Sequence, residues 1–401
     1  MSFMQQTSVV GSKNEALPFA VYILAFGIFA MVTSEFQVAG MIPVMADDLG
    51  VSISQVGYLV SFYALAMAFG GPLLAIGLLK RAPKNALMLL YATFIAAEVL
   101  GAIASSYHML IVARLITGAV SGAFFGVTLT ICIDIVPEQK RGWAVSIVLA
   151  GIMVGTVLGL PMANLIGTYA GWRESFWTVS ILAALAAVST FFGVPSIARQ
   201  QAVSLQSELG ALKNLKLWSV FSTSLLIIGA TFAAFTYFTP ILKGITGYDN
   251  VDVAILLIVY GAMTVIGNAV VGKLADRHTI TVLAVGLAAL AFFLMLFGLF
   301  ADDKVVSALS LVGIGLVGVT MNPAMATRVI RTANGRSLVN TLHTSVITLG
   351  IVIGAWLGGL GISFGYGLQA PLWVGFFMAI VGLATLIPDI CTLRNKHENK
   401  Q

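Results

Sequence analysis

The sequence predicts an all-α membrane protein of twelve transmembrane helices arranged as two pseudo-symmetric six-helix bundles. Three observations predict it. Of the 401 residues, 59% are hydrophobic and only 9% are charged, against roughly a quarter charged in soluble domains. Apolar runs of about 20 residues, long enough to cross a bilayer, recur along the whole chain. One glycine pattern also appears twice, half a chain apart. Backbone groups in hydrocarbon must be satisfied internally. Long unbroken apolar runs do this as helices, whereas barrel strands alternate over about ten residues.

The spans are expected at 17–45, 53–79, 84–105, 107–135, 143–167, 174–195, 215–243, 252–272, 279–300, 305–328, 337–361 and 370–391. Residues 1–16 are polar with the single cation Lys13, and the run that follows is long and carries Glu35. That combination reads as a retained first helix rather than a cleaved signal peptide. Lys80, Arg81 and Lys84 separate spans two and three, and a hairpin near residues 106–107 joins three to four. Lys140 and Arg141 precede span five, and Gly171-Trp172-Arg173 opens span six. The widest connection, 196–214, carries Leu205, Leu209 and Leu212 at helical spacing, which fits either a helix on the membrane surface or a plain linker. Span seven holds Pro240, where a kink is expected. Lys273 and Arg277 separate spans eight and nine; Arg328 ends span ten and Arg331 and Arg336 follow it; Arg394, Lys396 and Lys400 follow span twelve.

These cations fix an orientation. Of 21 Lys and Arg residues, all but Arg114, Arg173, Lys243 and Lys304 fall on one side, so the positive-inside rule places both termini in the cytoplasm. The net charge of +5 is therefore a topological signal, not a nucleic-acid one. Cys132 and Cys391 lie near cytoplasmic helix ends, where neither a disulfide framework nor a two-thiol metal site is expected.

The repeat is specific. Gly151, Gly155 and Gly159 on span five recur as Gly350, Gly354 and Gly358 on span eleven at one constant offset, with Ile152 matching Ile351 and Leu158 matching Leu357. Glycines at every fourth residue make a smooth stripe that lets helix backbones approach closely. The chain divides into an N-terminal bundle (1–195), a cytoplasmic linker (196–214) and a C-terminal bundle (215–401). Two six-helix halves related along the membrane normal form a transporter layout, with a central site and rocking halves.

Several stretches then carry a family resemblance over nearly the whole chain. Gly272-Lys273-Leu274-Ala275-Asp276-Arg277 resembles the cytoplasmic loop signature of the major facilitator superfamily. The resemblance implies that Asp276 pairs across helix ends and locks the cytoplasmic side. The symmetry-related stretch from Gly71 to Arg81 keeps the glycine and the cations but lacks the aspartate, which leaves more of the lock to Asp276. Thr33-Ser34-Glu35-Phe36 with Gly40 and Pro43 resembles the first helix of the arabinose-, sugar- and purine-efflux-like branch. Arg114-x-x-Thr117-Gly118 is similar to the fourth-helix motif, with threonine in place of glutamine. Gly155-x-x-x-Gly159-Leu160-Pro161 is similar to the fifth-helix antiporter motif, with Leu160 intervening before the proline. Together they look like a drug/metabolite:proton antiporter of the twelve-helix class.

Ionisable groups within spans cost roughly 2.5–3.5 kcal/mol each at mid-helix, so those retained are paired, hydrated or useful. From the helix rise, Glu35 lies about 15 Å from the outer face, Glu98 about 10 Å and Arg114 about 9 Å. The three can meet. Glu98 is level with Arg114 through the hairpin, and Glu35 is the other partner in the family fold. Two acids and one arginine leave one carboxyl without full compensation. Glu35 is expected to carry the coupled proton, Arg114 to tune it and Glu98 to act as a structural partner; a static ion-pair cluster is the alternative. Thr117, Ser121 and Thr128 form a polar stripe with Arg114, beside the smooth stripe Gly118, Gly122 and Gly126, and Thr117 and Ser121 are candidates for the cavity wall. Thr33 and Gln37 lie nearly opposite Glu35 on their helix and are candidates for the cavity wall or for a helix contact.

The C-terminal bundle has no acid deep within a span. Its candidates for the cavity are Phe235, Tyr237, Asn268, Asn322, Asn340 and His343, with packing between helices as the alternative for the three asparagines. Histidine titrates near neutrality, so His343 can join proton movement or sit as a hydrated cytoplasmic-end residue. Aromatic walls with few fixed charges suit a neutral or amphipathic solute.

The expectation is a monomeric, proton-coupled secondary transporter of the bacterial cytoplasmic membrane. It would export a small organic solute such as a drug, sugar or nucleoside by alternating access, with the proton gradient rather than a cofactor as driving force. The alternatives are proton-coupled uptake or facilitated diffusion on the same fold, and a receptor or assembly factor that has lost transport. No nucleophile–base pair or metal cluster points to an enzyme.

Overall fold

The computed structural model describes residues 17–196, 214–333 and 337–398, and among them twelve helical stretches are long and apolar enough to cross a membrane. The first bundle comprises α1 (Phe19–Leu49), α2 (Ile53–Leu78), α3 (Pro83–Ala102), α4 (Tyr107–Asp134), α5 (Arg141–Tyr169) and α6 (Trp172–Gly193). The second comprises α7 (Leu215–Phe235), α8 (Phe238–Gly244), α9 (Asn250–Leu299), α10 (Lys304–Val317), α11 (Asn322–Ala333), α12 (Ser337–Gly361) and α13 (Ala370–Glu398). Residues 197–213, where the surface helix or linker was expected, lie outside the described residues. An even number of spans brings both ends of the chain to one face, here called the basic face, opposite the far face.

Three elements differ from expectation. Spans eight and nine are not joined by a loop: α9 contains both, separated by the single non-helical residue His278 (φ −130°, ψ 38°). The first helix runs on to Leu49, and Gly50 closes it in a left-handed conformation (φ 63°) with its N–H on the Ala46 carbonyl. The tenth span is interrupted at Gly318 (φ −77°, ψ −106°), followed by a single turn, Val319–Met321, before α11 begins. The expected break in span seven is present at Thr236–Tyr237, between α7 and α8. Pro240 and Pro323 each withhold the N–H that would bind the carbonyl four residues earlier. Proline alone does not dictate a break, because Pro43, Pro72 and Pro161 lie inside continuous helices. Gly318 in span ten and the anchoring of the Tyr237 hydroxyl on the Ala355 carbonyl (3.0 Å) supply the difference.

The repeated glycines are the seams of the two bundles. A Cβ at Gly151 would collide with the Ala25 carbonyl, one at Gly155 would lie 2.7 Å from Val32 Cγ1, and one at Gly159 would lie 3.2 Å from Thr33 Cα. In the second bundle a Cβ at Gly350 would lie 2.7 Å from the Leu225 carbonyl oxygen, and one at Gly354 would collide with the Gly229 backbone. Thus α5 lies on α1 as α12 lies on α7, and small residues permit both approaches.

The bundles meet through α2 with α12, α5 with α9, and α1 with α8. The described hydrogen bonds between them concentrate from mid-membrane to the far face: Tyr58 with Ser363 (3.4 Å), Ser61 to the Val352 carbonyl (3.3 Å), Ser345 to the Ala68 carbonyl (3.5 Å) and Lys243 to Thr168 (3.5 Å). Toward the basic face, α5, α9 and α11 enclose a cavity of about 560 Å³.

Candidate functional site

Arg114, carried into the first bundle by α4, is fully buried, as is Glu98 on α3. The sequence left open which acid would pair with Arg114, and neither makes a direct ion pair with it. Arg114 Nη1 donates to the Ser34 carbonyl (2.9 Å) and to Ser34 Oγ (3.2 Å), and Nη2 donates to the Glu35 carbonyl (3.3 Å). Ser34 Oγ in turn donates to Glu98 Oε1, and Gln37 Nε2 donates to Glu98 Oε2 (3.0 Å). One hydroxyl therefore stands between the guanidinium and the carboxylate. The guanidinium lies 4.2 Å from the centre of the Tyr63 ring, a cation–π contact in a dry setting. Tyr63 donates to Ser121 Oγ (2.8 Å). The side chain of Glu35 is different: it is half-buried and makes no hydrogen bond or ion pair with a described residue.

Four residues expected near the cavity wall belong instead to this packed interior. Thr33 is fully buried, bonded to the Phe29 carbonyl (2.8 Å) and covered by Gly159. Gln37 faces Glu98 and also accepts from Ser175 (3.4 Å). Thr117 returns its hydroxyl to its own helix at Ala113 (3.0 Å), and Ser121 is held by Tyr63. A polar side chain in a span is drawn to polar partners, and here those partners lie within the bundle.

Phe235 and Tyr237 also lie away from the cavity, in an aromatic plug between the bundles. Phe36, next to Glu35, meets the ring of Phe235 edge-on at 5.3 Å and that of Phe232 at 6.3 Å, and Phe235 packs on Phe238 and Tyr260. Tyr237 is fully buried and reaches α12. His343 does not line the cavity. It is buried, hydrogen-bonded through Nε2 to Ser224 Oγ (2.9 Å) and stacked on Phe221. Asn268 and Asn322 do line the cavity, with Ser146, Thr156, Thr264 and Thr320. The side chain of Asn340 lies outside the described residues, as does that of Asp276. Gly272 stands in open space and Arg277 is exposed. Pro161 is buried in α5, one turn from Val157, against which Gly261 of α9 packs.

The structure adds a cluster that the sequence reading placed among loop cations. Arg328 on α11 is buried; its Nη2 meets Asp389 Oδ2 at 2.7 Å and its Nη1 donates to Thr223 Oγ1 at 2.8 Å. Lys216 reaches the other oxygen of Asp389 at 3.5 Å. This ties α7, α11 and α13 together at the basic face. Ser34 stood in the quoted first-helix stretch without an assigned role, and nothing in the sequence singled out Tyr63.

Two six-helix bundles that meet at a cavity, one of them with a buried polar network, define a polytopic membrane transporter. The model of the Major Facilitator Superfamily matches residues 24–355. The chain is 34% identical over 365 residues to the inner membrane transport protein YdhP of Escherichia coli (strain K12), covering 91% of this chain and 93% of that one. It is 31% identical over 379 residues to a chloramphenicol resistance protein of Streptomyces lividans, covering 93% and 96%. The crystal structure of a D-xylose–proton symporter superposes with a TM-score of 0.74 at 15% identity, covering 92% of this chain and 97% of that one, which shows the shared fold. The chain belongs to the Major Facilitator Superfamily.

Proposed function

We propose that the chain is a proton-driven exporter of a small organic solute. It works by alternating access in the bacterial inner membrane, with both termini in the cytoplasm. The observation that carries this reading is the contrast between the two acids. Glu98 has both oxygens occupied inside the bundle, whereas the Glu35 carboxyl has no partner among the described residues, is partly accessible and lies beside Arg114. An acid so placed can accept and release a proton without dismantling the bundle. Its neighbour Phe36 belongs to the aromatic plug at the bundle interface, so a change at residue 35 is felt where the halves must separate. Export is supported by the name of the Streptomyces relative and an inner-membrane location by that of YdhP. In this scheme Gly272, Asp276 and Arg277 form the cytoplasmic lock when the cavity opens outward.

The test is transport in proteoliposomes. Glu35→Gln is expected to abolish solute-driven proton movement while exchange between two solute pools continues. Undiminished proton movement in that variant overturns the role of Glu35.

A further inference from the structure

We infer that the cavity between α5, α9 and α11 binds the transported solute, and that it selects an uncharged molecule rich in O–H and N–H donors. This rests on the transport reading above and names the substrate class of that transporter.

The first argument is charge. Among the described residues, none that lines the cavity is ionisable. A solute carrying a fixed charge would shed its hydration there without meeting a counter-charge, which costs far more than burying a neutral polar group.

The second argument is the direction of the hydrogen bonds. A hydroxyl carries one proton and two acceptor lone pairs. All four hydroxyls of the described lining already spend that proton on backbone carbonyls of their own spans: Ser146 on Gly142 (2.9 Å), Thr156 on Ile152 (2.9 Å), Thr264 on Gly261 (2.6 Å) and, across the Gly318 break, Thr320 on Leu316 (2.7 Å). What they present to the cavity is acceptor capacity. The amides of Asn268 and Asn322 make no hydrogen bond with a described residue, and each offers both donors and an acceptor. The polar wall is therefore biased toward acceptors, and its complement is a donor. Leu149, Ile152 and Met153 supply an apolar wall for the rest of the molecule.

The third argument is position. Glu35 does not line the cavity. One face of α5 forms the cavity wall, while its glycine face lies on α1, the helix that carries Glu35. Solute and proton thus occupy different places joined by the α1–α5 seam, and binding in the cavity does not require the acid.

A matched set of three probes tests this on the full-length protein in detergent: chloramphenicol (neutral, with two hydroxyls and an amide N–H), its deacylated amine and its succinate ester. Equilibrium dialysis should show the neutral member binding at least about tenfold more tightly than either ion. Asn268→Ala and Asn322→Ala should each weaken it about three- to tenfold, the range expected for one lost hydrogen bond. Asn268→Asp should shift the preference toward the amine. Size-exclusion profiles identify any variant that fails to fold, and Asn268→Ser then replaces it. Equal or tighter binding of either ion, affinity indifferent to both asparagines, or no binding of any probe at millimolar concentration overturns the inference. Asparagine-dependent binding in a protein that moves no protons upholds this cavity while refuting the proton-driven reading.

Discussion

The two acids of the first bundle are expected to fail in different ways when neutralised, and Glu98→Gln is the sharper perturbation. Both oxygens of Glu98 accept hydrogen bonds, from Ser34 Oγ and from Gln37 Nε2, and the side chain has no solvent contact. A glutamine keeps one carbonyl oxygen and turns an NH2 group toward the other donor. One bond is lost and two donors face each other. Hydrogen bonds to charged groups contribute about 1.5–3 kcal/mol each, and an unsatisfied buried donor adds a penalty of about 1–3 kcal/mol. A loss of about 2.5–6 kcal/mol of stability is expected from the two together, read as a shift in the unfolding midpoint in mixed micelles. Glu35→Gln removes no side-chain hydrogen bond and should stay within about 0.5 kcal/mol of the parent. Proton movement in liposomes should show the reverse order, lost in Glu35→Gln and kept by whatever fraction of Glu98→Gln remains folded. A Glu98→Gln protein as stable as the parent but uncoupled, beside a coupled Glu35→Gln protein, refutes the division of roles.

Three further outcomes are expected. Gly354→Ala places a methyl group against the Gly229 backbone and should sharply reduce the yield of monodisperse protein, whereas Gly272→Ala, in open space, should not. Phe36→Ala removes the ring that joins α1 to Phe235 and Phe232. A cysteine at Ser61 should then react faster with an impermeant thiol reagent added from the far face. Arg328→Leu leaves Asp389 with only the longer contact to Lys216. Asp389 is half-buried and keeps Lys216, so a loss of about 1–3 kcal/mol is expected in denaturant unfolding, with partial recovery in Arg328→Lys.

The twelve spans were legible because length and apolarity are set by the bilayer. Helix ends were less so. The first helix was expected to end at residue 45. The helix continues because Asp48 is held by Trp172 Nε1 (2.9 Å) and Arg173 Nη1 (2.7 Å), partners 124 and 125 residues away in the chain. The same limit applies to the polar residues of the first bundle. Sequence spacing shows that Gln37 and Glu35 point in different directions, but not that α3 brings Glu98 to Gln37. Arg328 was read as a loop cation because its partner lies on α13. Asn268 and Asn322 were recognisable as polar groups within spans. Their use at one cavity depends on how α9 and the broken tenth span come together.

Those breaks make the two halves mechanically unlike. The first and fourth spans are unbroken rods, α1 and α4, whereas their counterparts, the seventh and tenth, are each jointed, at Thr236–Tyr237 and at Gly318. A rod can only tilt, but a jointed helix can bend one segment while the other stays docked. The second half can therefore close around a solute locally, near Thr320 and Asn322, before any tilt of the first half. Occupancy would then be sensed by a moving arm and delivered to a stiff lever that carries Glu35.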